Sequence, residues 1–282
     1  MPFRLKRSNK SVTNWVLRCI LLIFALIFNS KLNAQICSNV VEYLQNISVL
    51  IETPTSYASG FLITKSNGNS YVLSAGHSIE NIVICTNRGK NKSEFSVSIQ
   101  KEIHKEVKIY LFGYDKNDFL VSTQKINAKT LFWSDSDLAY DISLFKLNGK
   151  NFSTNTTLFY SGDSKEVRIG SKIIYMANAK GVKHINYLND GILSIKRNFY
   201  PNLYEASING YMGCSGGGVF LNNSELIGMI VSISGEEPGT TYFIPLYEMK
   251  KCAKKNNFEW IFSGYSDTNY EEIKELRKEI SF

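Results

Sequence analysis

Ile208-Asn209-Gly210-Tyr211-Met212-Gly213-Cys214-Ser215-Gly216-Gly217-Gly218-Val219-Phe220-Leu221 decides how this chain is read. Between Gly213 and Gly218 only Cys214 and Ser215 carry side chains, so the backbone is free to turn tightly and point N–H groups outward. A strand-like run, Val219 to Leu221, follows the turn. A serine held in such a turn is a nucleophile candidate. Taken alone, the stretch is equally a plain glycine-rich hairpin. The choice depends on whether a histidine and a carboxylate elsewhere can serve Ser215.

The chain offers three histidines. His104, within Lys101-Glu102-Ile103-His104-Lys105, and His184, within Val182-Lys183-His184-Ile185, read as ordinary strand or surface residues. His77 differs. Ser59–Thr64 and Ser70–Ser74 are strand candidates joined by a turn at Lys65–Asn69, marked by Asn67-Gly68. The returning strand runs into Ala75-Gly76-His77, so a hairpin delivers the histidine to its far end. Small residues beside it leave the room a general base needs for a nucleophile on one side and a carboxylate on the other. Asp141 heads the apolar run Ile142-Ser143-Leu144-Phe145-Lys146-Leu147, just after the acidic loop Ser134-Asp135-Ser136-Asp137.

Further segments alternate with period two or form short apolar runs. They are Ile47–Ile51, Phe95–Ile99, Val107–Leu111, Phe119–Ser122, Val167–Met176, Gly191–Ile195, Tyr204–Ile208, Leu226–Val231 and Thr240–Ile244. Thr86–Ser93 reads as a polar loop, and Lys150–Thr156 as the boundary between two halves. Helical patterns come only at the end, at Leu246–Lys254 and Tyr270–Glu279. Many short strands in two runs, with helix last, predict an all-β double barrel or sandwich.

With 282 residues, 44% of them hydrophobic, there is ample material for a core. The formal charge of +7 is misleading. Residues 1–34 hold six basic residues and no acid, and without them 26 basic face 25 acidic residues, a net of +1. A nucleic-acid role therefore loses its main support. The basic segment ending at Arg18, the apolar run Cys19–Phe28 and the small Ala34 predict a signal peptide over 1–34 and export to the periplasm or the extracellular space. Ten apolar residues are short for a membrane span, so a membrane enters only if this segment stays uncleaved. Cys37, Cys85, Cys214 and Cys252 would remain, enough for two disulfides in three connectivities. No Cys-x-x-Cys pair suggests a structural metal site.

The order His77, Asp141, Ser215 resembles the trypsin/chymotrypsin-like serine peptidases. Ser74-Ala75-Gly76-His77, Asp141-Ile142-Ser143-Leu144 and Gly213-Cys214-Ser215-Gly216-Gly217 resemble that family's three motifs. Ser59-Gly60-Phe61-Leu62-Ile63, Val167-Arg168-Ile169-Gly170, Gly191-Ile192-Leu193-Ser194, Glu225-Leu226-Ile227-Gly228 and Phe243-Ile244-Pro245 are similar to segments of the bacterial Deg-like branch. The resemblance implies two six-stranded antiparallel β-barrels, chymotrypsin-like, with a C-terminal helix. It implies a peptidase domain over 35–256, with barrels at about 45–150 and 157–245, and a helical tail over 257–282. That tail is too short for a PDZ domain.

The family's mechanism implies a serine endopeptidase acting on a protein or peptide without a cofactor. Ser215 would be the nucleophile, His77 the base, and Asp141 its orienting partner. The N–H groups of Gly213 and Ser215 would form the oxyanion hole. Asn209, Ser232 and Ser234 would bind the substrate residue before the cut, and Asn209 in place of an aspartate argues for an uncharged side chain of medium size. Three departures stand out. Cys214 replaces the usual Asp or Asn, which removes the partner of a freed N-terminal amine and offers a rival nucleophile. Gly218 replaces proline. Tyr211-Met212 adds bulk. The readings that compete with an exported peptidase are a non-catalytic binding module on the same fold and a membrane-tethered enzyme.

Overall fold

Alternation of apolar and polar residues closes this chain on itself twice. The computed structural model describes residues 40–88, 95–134, 140–150, 152, 155–196 and 203–263, with backbone alone at 82–88 and 95–100. The first barrel is built from β1 (Ser48–Glu52), β2 (Tyr57–Thr64), β3 (Ser70–Ala75), β6 (Glu106–Tyr114), β7 (Leu120–Trp133) and β8 (Ile142–Leu147). Its order is β1-β2-β3-β8-β7-β6, and pairing of β1 with β6 closes it. The second is built from β9 (Lys172–Ala179), β10 (His184–Lys196), β11 (Tyr204–Ser207), β12 (Gly218–Leu221), β13 (Leu226–Ile233) and β14 (Thr240–Pro245). It closes in the order β10-β11-β14-β13-β12-β9. All pairings between barrel strands are antiparallel, and the fold is the two-barrel, chymotrypsin-like one.

Side chains that point inward carry the stability. Leu50, Phe61, Leu73 and Phe145 are fully buried in strands of the first barrel. Ile173, Tyr175, Ala177, Leu193, Ile230 and Phe243 form one cluster in the second. Each large apolar side chain so buried contributes about 1.5–3 kcal/mol relative to leaving it in water.

Several elements differ from what the pattern predicts. Thr86–Arg88 is not loop: it ends β4 (Glu80–Arg88), which pairs along its whole length with β5 (Phe95–Ile103) as a separate two-stranded sheet. Strand pairing uses backbone groups, so a polar run can form a ladder without an apolar signature. The strand predicted at Phe119–Ser122 is only the start of β7, which continues to Trp133 with Ile126 and Ala128 buried between exposed neighbours. Val167–Gly170 is not strand, since Gly170 turns with φ +87° ahead of β9.

The helix Leu246–Lys255 starts directly after Pro245 and buries Leu246, Met249, Cys252 and Ala253, one stripe of its surface. A 3₁₀ turn, Glu259–Phe262, then lies against the first barrel. Trp260 packs edge-on to Tyr71 at 4.9 Å, and Phe258 meets Phe132 at 4.5 Å between ring centres. The second helical pattern, Tyr270–Glu279, and the segment read as a signal peptide lie outside the described residues. Among the described residues no helix is long and apolar enough to cross a membrane.

Candidate active site

His77 sits in the 3₁₀ turn Gly76–Ile79 that ends β3. Gly76 before it is there for space: a Cβ at that position would lie 2.3 Å from the Ser134 carbonyl oxygen. The end of β3 can therefore press against the backbone that carries Asp141. Asp141 itself adopts φ +47°, a left-handed conformation that aspartate accepts more readily than most residues. Ser134 braces this bend, its hydroxyl accepting from the N–H of Ile142 at 2.9 Å.

The bend aims the carboxylate at His77 twice. The His77 N–H donates to Asp141 Oδ1 at 2.7 Å, and His77 Nδ1 lies 2.8 Å from Asp141 Oδ2. With one oxygen fixed by the backbone, the other holds the proton on Nδ1 and leaves Nε2 as the basic nitrogen. Burial pushes the imidazole pKa down, but the hydrogen bond and charge of Asp141, helped by Glu80, outweigh it and the net value is raised.

Ser215 lies in the turn before β12, where chain reversal comes from Gly213 at φ +91° and Gly216 at φ +87°. Neither position admits a side chain. A Cβ on Gly213 would come 2.7 Å from the Asn178 carbonyl, and one on Gly216 would come 2.1 Å from that of Ser59. The N–H directions follow from where the carbonyls are tied. Met212 O accepts from Lys180 N at 2.6 Å and Cys214 O accepts from Gly217 N at 2.9 Å. In a planar trans peptide the N–H points opposite to the carbonyl. The N–H groups of Gly213 and Ser215 are thereby turned away from these anchors. Among the described residues they donate to no protein acceptor.

A cleft of about 310 Å³ brings these parts together, with His77, Met212, Gly213, Ser215, Ser232 and Ile233 in its lining. Of the three substrate-binding positions read from the sequence, Ser232 lines the cleft. Asn209 does not. Its carbonyl accepts hydrogen bonds from Tyr175 Oη and, at 3.0 Å, from Asn189 Nδ2. Ser234 is turned to its own loop, its hydroxyl accepting from the N–H of Glu237 at 2.9 Å. Ile233 packs over Gly210: its Cγ2 is 2.4 Å from where a Cβ on Gly210 would sit.

Cys214 is fully buried and makes a long contact with Tyr175 Oη at 3.9 Å. Burial pushes its thiol pKa up, so the thiolate that a nucleophile needs is disfavoured. Cys214 and Cys252 are both free thiols. His104 and His184 are absent from the cleft lining. Among the described residues no group of three His, Cys, Asp or Glu could hold a metal ion. Ser59, Ser134 and Lys180 were not singled out by sequence, because each acts through contacts with residues far along the chain.

Comparison with known proteins places this geometry in context. The family of the trypsin-like peptidase domain matches residues 58–229. No curated protein matches the sequence. Among solved structures, the Rv3671c protease of M. tuberculosis in an inactive form superposes with a TM-score of 0.53 at 12% identity, over 79% of this chain and 94% of that one. Deg5 gives a TM-score of 0.53 at 16% identity, over 77% and 92%. The HtrA-type protease AlgW, solved with a tripeptide, gives 0.55 at 18%, over 79% of this chain and 63% of that one. At these identities the likeness is one of fold.

Proposed function

Since the chain belongs to the trypsin-like peptidase family, serine endopeptidases whose substrates are proteins or peptides, we propose that His77, Asp141 and Ser215 are its catalytic triad. Ser215 Oγ attacks the scissile carbonyl carbon while His77 Nε2 takes its proton. Asp141 holds the imidazole by Nδ1 and stabilises the imidazolium. The tetrahedral oxyanion is received by the N–H groups of Gly213 and Ser215. Collapse of that intermediate breaks the C–N bond, His77 returns the proton to the leaving amine, and the acyl group stays on Ser215. Water, deprotonated by His77, then releases the acid. A single observation carries this reading: the Asp141-held His77 shares one cleft with Ser215 and with two N–H groups that have no acceptor among the described residues.

For the residue before the cut, an uncharged side chain of medium size is proposed, since no acidic side chain is among the residues that line the cleft. The N-terminal segment 1–34 supports export with cleavage after Ala34. A mature protein beginning at Gln35 is the expected result of N-terminal sequencing, and retention of the apolar run would indicate a membrane tether instead.

The wild type is expected to react with a fluorophosphonate probe and to cleave a mixed peptide library. Ser215→Ala is expected to do neither. Wild type without either activity would leave a binding module on the same fold.

A further inference from the structure

The oxyanion turn is soft by composition, and something outside it must hold it. Gly213, Gly216 and Gly217 restrict their own dihedrals less than any other residue would. Peptide 213–214 matters most, because it joins the two peptides whose N–H groups line the cleft. Any rotation of it displaces one N–H relative to the other.

A single residue holds the carbonyls on both sides of Cys214. Ser59, in β2, is completely buried. Its hydroxyl donates to Gly213 O at 2.7 Å, and its N–H donates to Ser215 O at 2.9 Å. The same hydroxyl accepts from the N–H of Asn178 in β9 at 2.7 Å, which fixes its rotation. The Ser59 carbonyl accepts from Ser74 Oγ at 2.6 Å, in the strand that runs into His77. Every polar group of Ser59 is thus engaged. Two reach the nucleophile turn, one reaches the second barrel, and one reaches the strand that delivers the histidine.

We propose that Ser59 is a positioning residue for the oxyanion hole: its hydroxyl, oriented by Asn178, locks peptide 213–214 so that the N–H groups of Gly213 and Ser215 converge on one point. The inference rests on the triad reading above but concerns a residue that touches no substrate. A serine is required because one atom must donate to a carbonyl and accept from an N–H at once. Alanine at this position does neither and leaves Gly213 O and the buried Asn178 N–H without this partner.

The test compares Ser59→Ala with Thr157→Val, which removes another buried hydroxyl, one that donates to Leu62 O at 2.7 Å away from the cleft. For Ser59→Ala, kcat is expected to fall about 10- to 100-fold, short of the roughly 100- to 1000-fold that follows outright loss of an oxyanion donor. KM should stay within a few-fold, and affinity for a peptide boronic acid, which forms a tetrahedral adduct on Ser215, should fall in parallel with kcat. Thr157→Val should lose thermal stability with kcat retained. A kcat for Ser59→Ala that matches Thr157→Val, or a loss confined to KM, overturns the proposal. A crystal structure of Ser59→Ala tests it without turnover, since the Gly213 carbonyl is expected to turn from its wild-type direction. An unchanged turn overturns the proposal whatever the activity. Wild type lacking Ser215-dependent hydrolysis would refute the triad reading and leave this structural arm standing.

Discussion

At the scale of the residue, the pairing of His77 with Asp141 decides how activity answers to pH. The folded imidazole pKa is raised above the ordinary value of about 6.5, burial lowering it and the Asp141 bond and charge raising it further. The base must be neutral, so kcat/KM is expected to rise with pH through that raised value. The contribution of the charged pair to stability runs the other way. It is fully present below the unfolded value and lost as pH rises through the folded one. Asp141→Asn keeps the size but removes the charge and lets the wrong tautomer form. Its kcat is expected to fall by about 10⁴. The acid limb of its pH profile should move to lower pH, because burial still depresses the imidazole while its largest support is gone. A pH profile unchanged in position would refute this account of the pair. These residues were legible in sequence because their immediate neighbours are constrained: Gly76 by the Ser134 carbonyl, Gly213 and Gly216 by the positive φ the turn demands. Ser59 was legible only as part of a strand, for its partner Gly213 lies 154 residues away. Cys214 was legible as an anomaly, and its burial, which disfavours the thiolate, supports the proposal that the serine beside it is the nucleophile.

Elements were legible where apolar residues recur with a strand or helix period, as at Phe95–Ile99 of β5 and in the helix Leu246–Lys255, and illegible where polar runs pair through the backbone. β4 carries no alternation at Thr86–Arg88, and in β7 the pattern at Phe119–Ser122 marks only the exposed start, since beyond it only Ile126 and Ala128 are buried. The segment after the C-terminal helix is a third case. Its 3₁₀ turn is too short for a periodic signal, and what secures it is Lys65, in the turn after β2. Lys65 Nζ donates to the carbonyls of Trp260 at 2.7 Å and Ile261 at 2.8 Å, and also to that of Ser263. One ammonium therefore ties three carbonyls of the turn and its exit to the end of β2. Lys65→Met keeps most of the stem and removes the donors. It is expected to cost about 1.5–3 kcal/mol, the scale of hydrogen bonds to a charged group. The loss should appear as a lower midpoint in denaturant, with kcat unchanged, since none of these residues lines the cleft. An unaltered midpoint would mean that the aromatic contacts of Trp260 and Phe258 suffice.

At the scale of the molecule, the proposed triad is divided between two barrels. The first supplies His77 and Asp141, the second Ser215 and its turn, so in the proposed mechanism small relative movement of the barrels separates base from nucleophile. Apolar packing is tolerant of such sliding, whereas hydrogen bonds fix register. Asn178 makes two of these. Fully buried in β9, it donates from Nδ2 to Val49 O of β1 at 2.8 Å, accepts from Asn186 N at 3.0 Å, and gives its own N–H to Ser59. Asn178→Leu preserves volume and apolar contact. It leaves Val49 O and Asn186 N buried without these partners, at about 1–3 kcal/mol each. The backbone bond to Ser59 survives the substitution, so the turn is not directly broken. The expected result is a molecule whose barrels still fold but are less firmly registered. In wild type, denaturant should abolish activity and tryptophan fluorescence together, as in a single cooperative unit. In Asn178→Leu, activity should be lost at lower denaturant than the fluorescence of Trp133 and Trp260, both of which report on the first barrel. Coincident transitions in the variant would show that apolar packing alone registers the two halves.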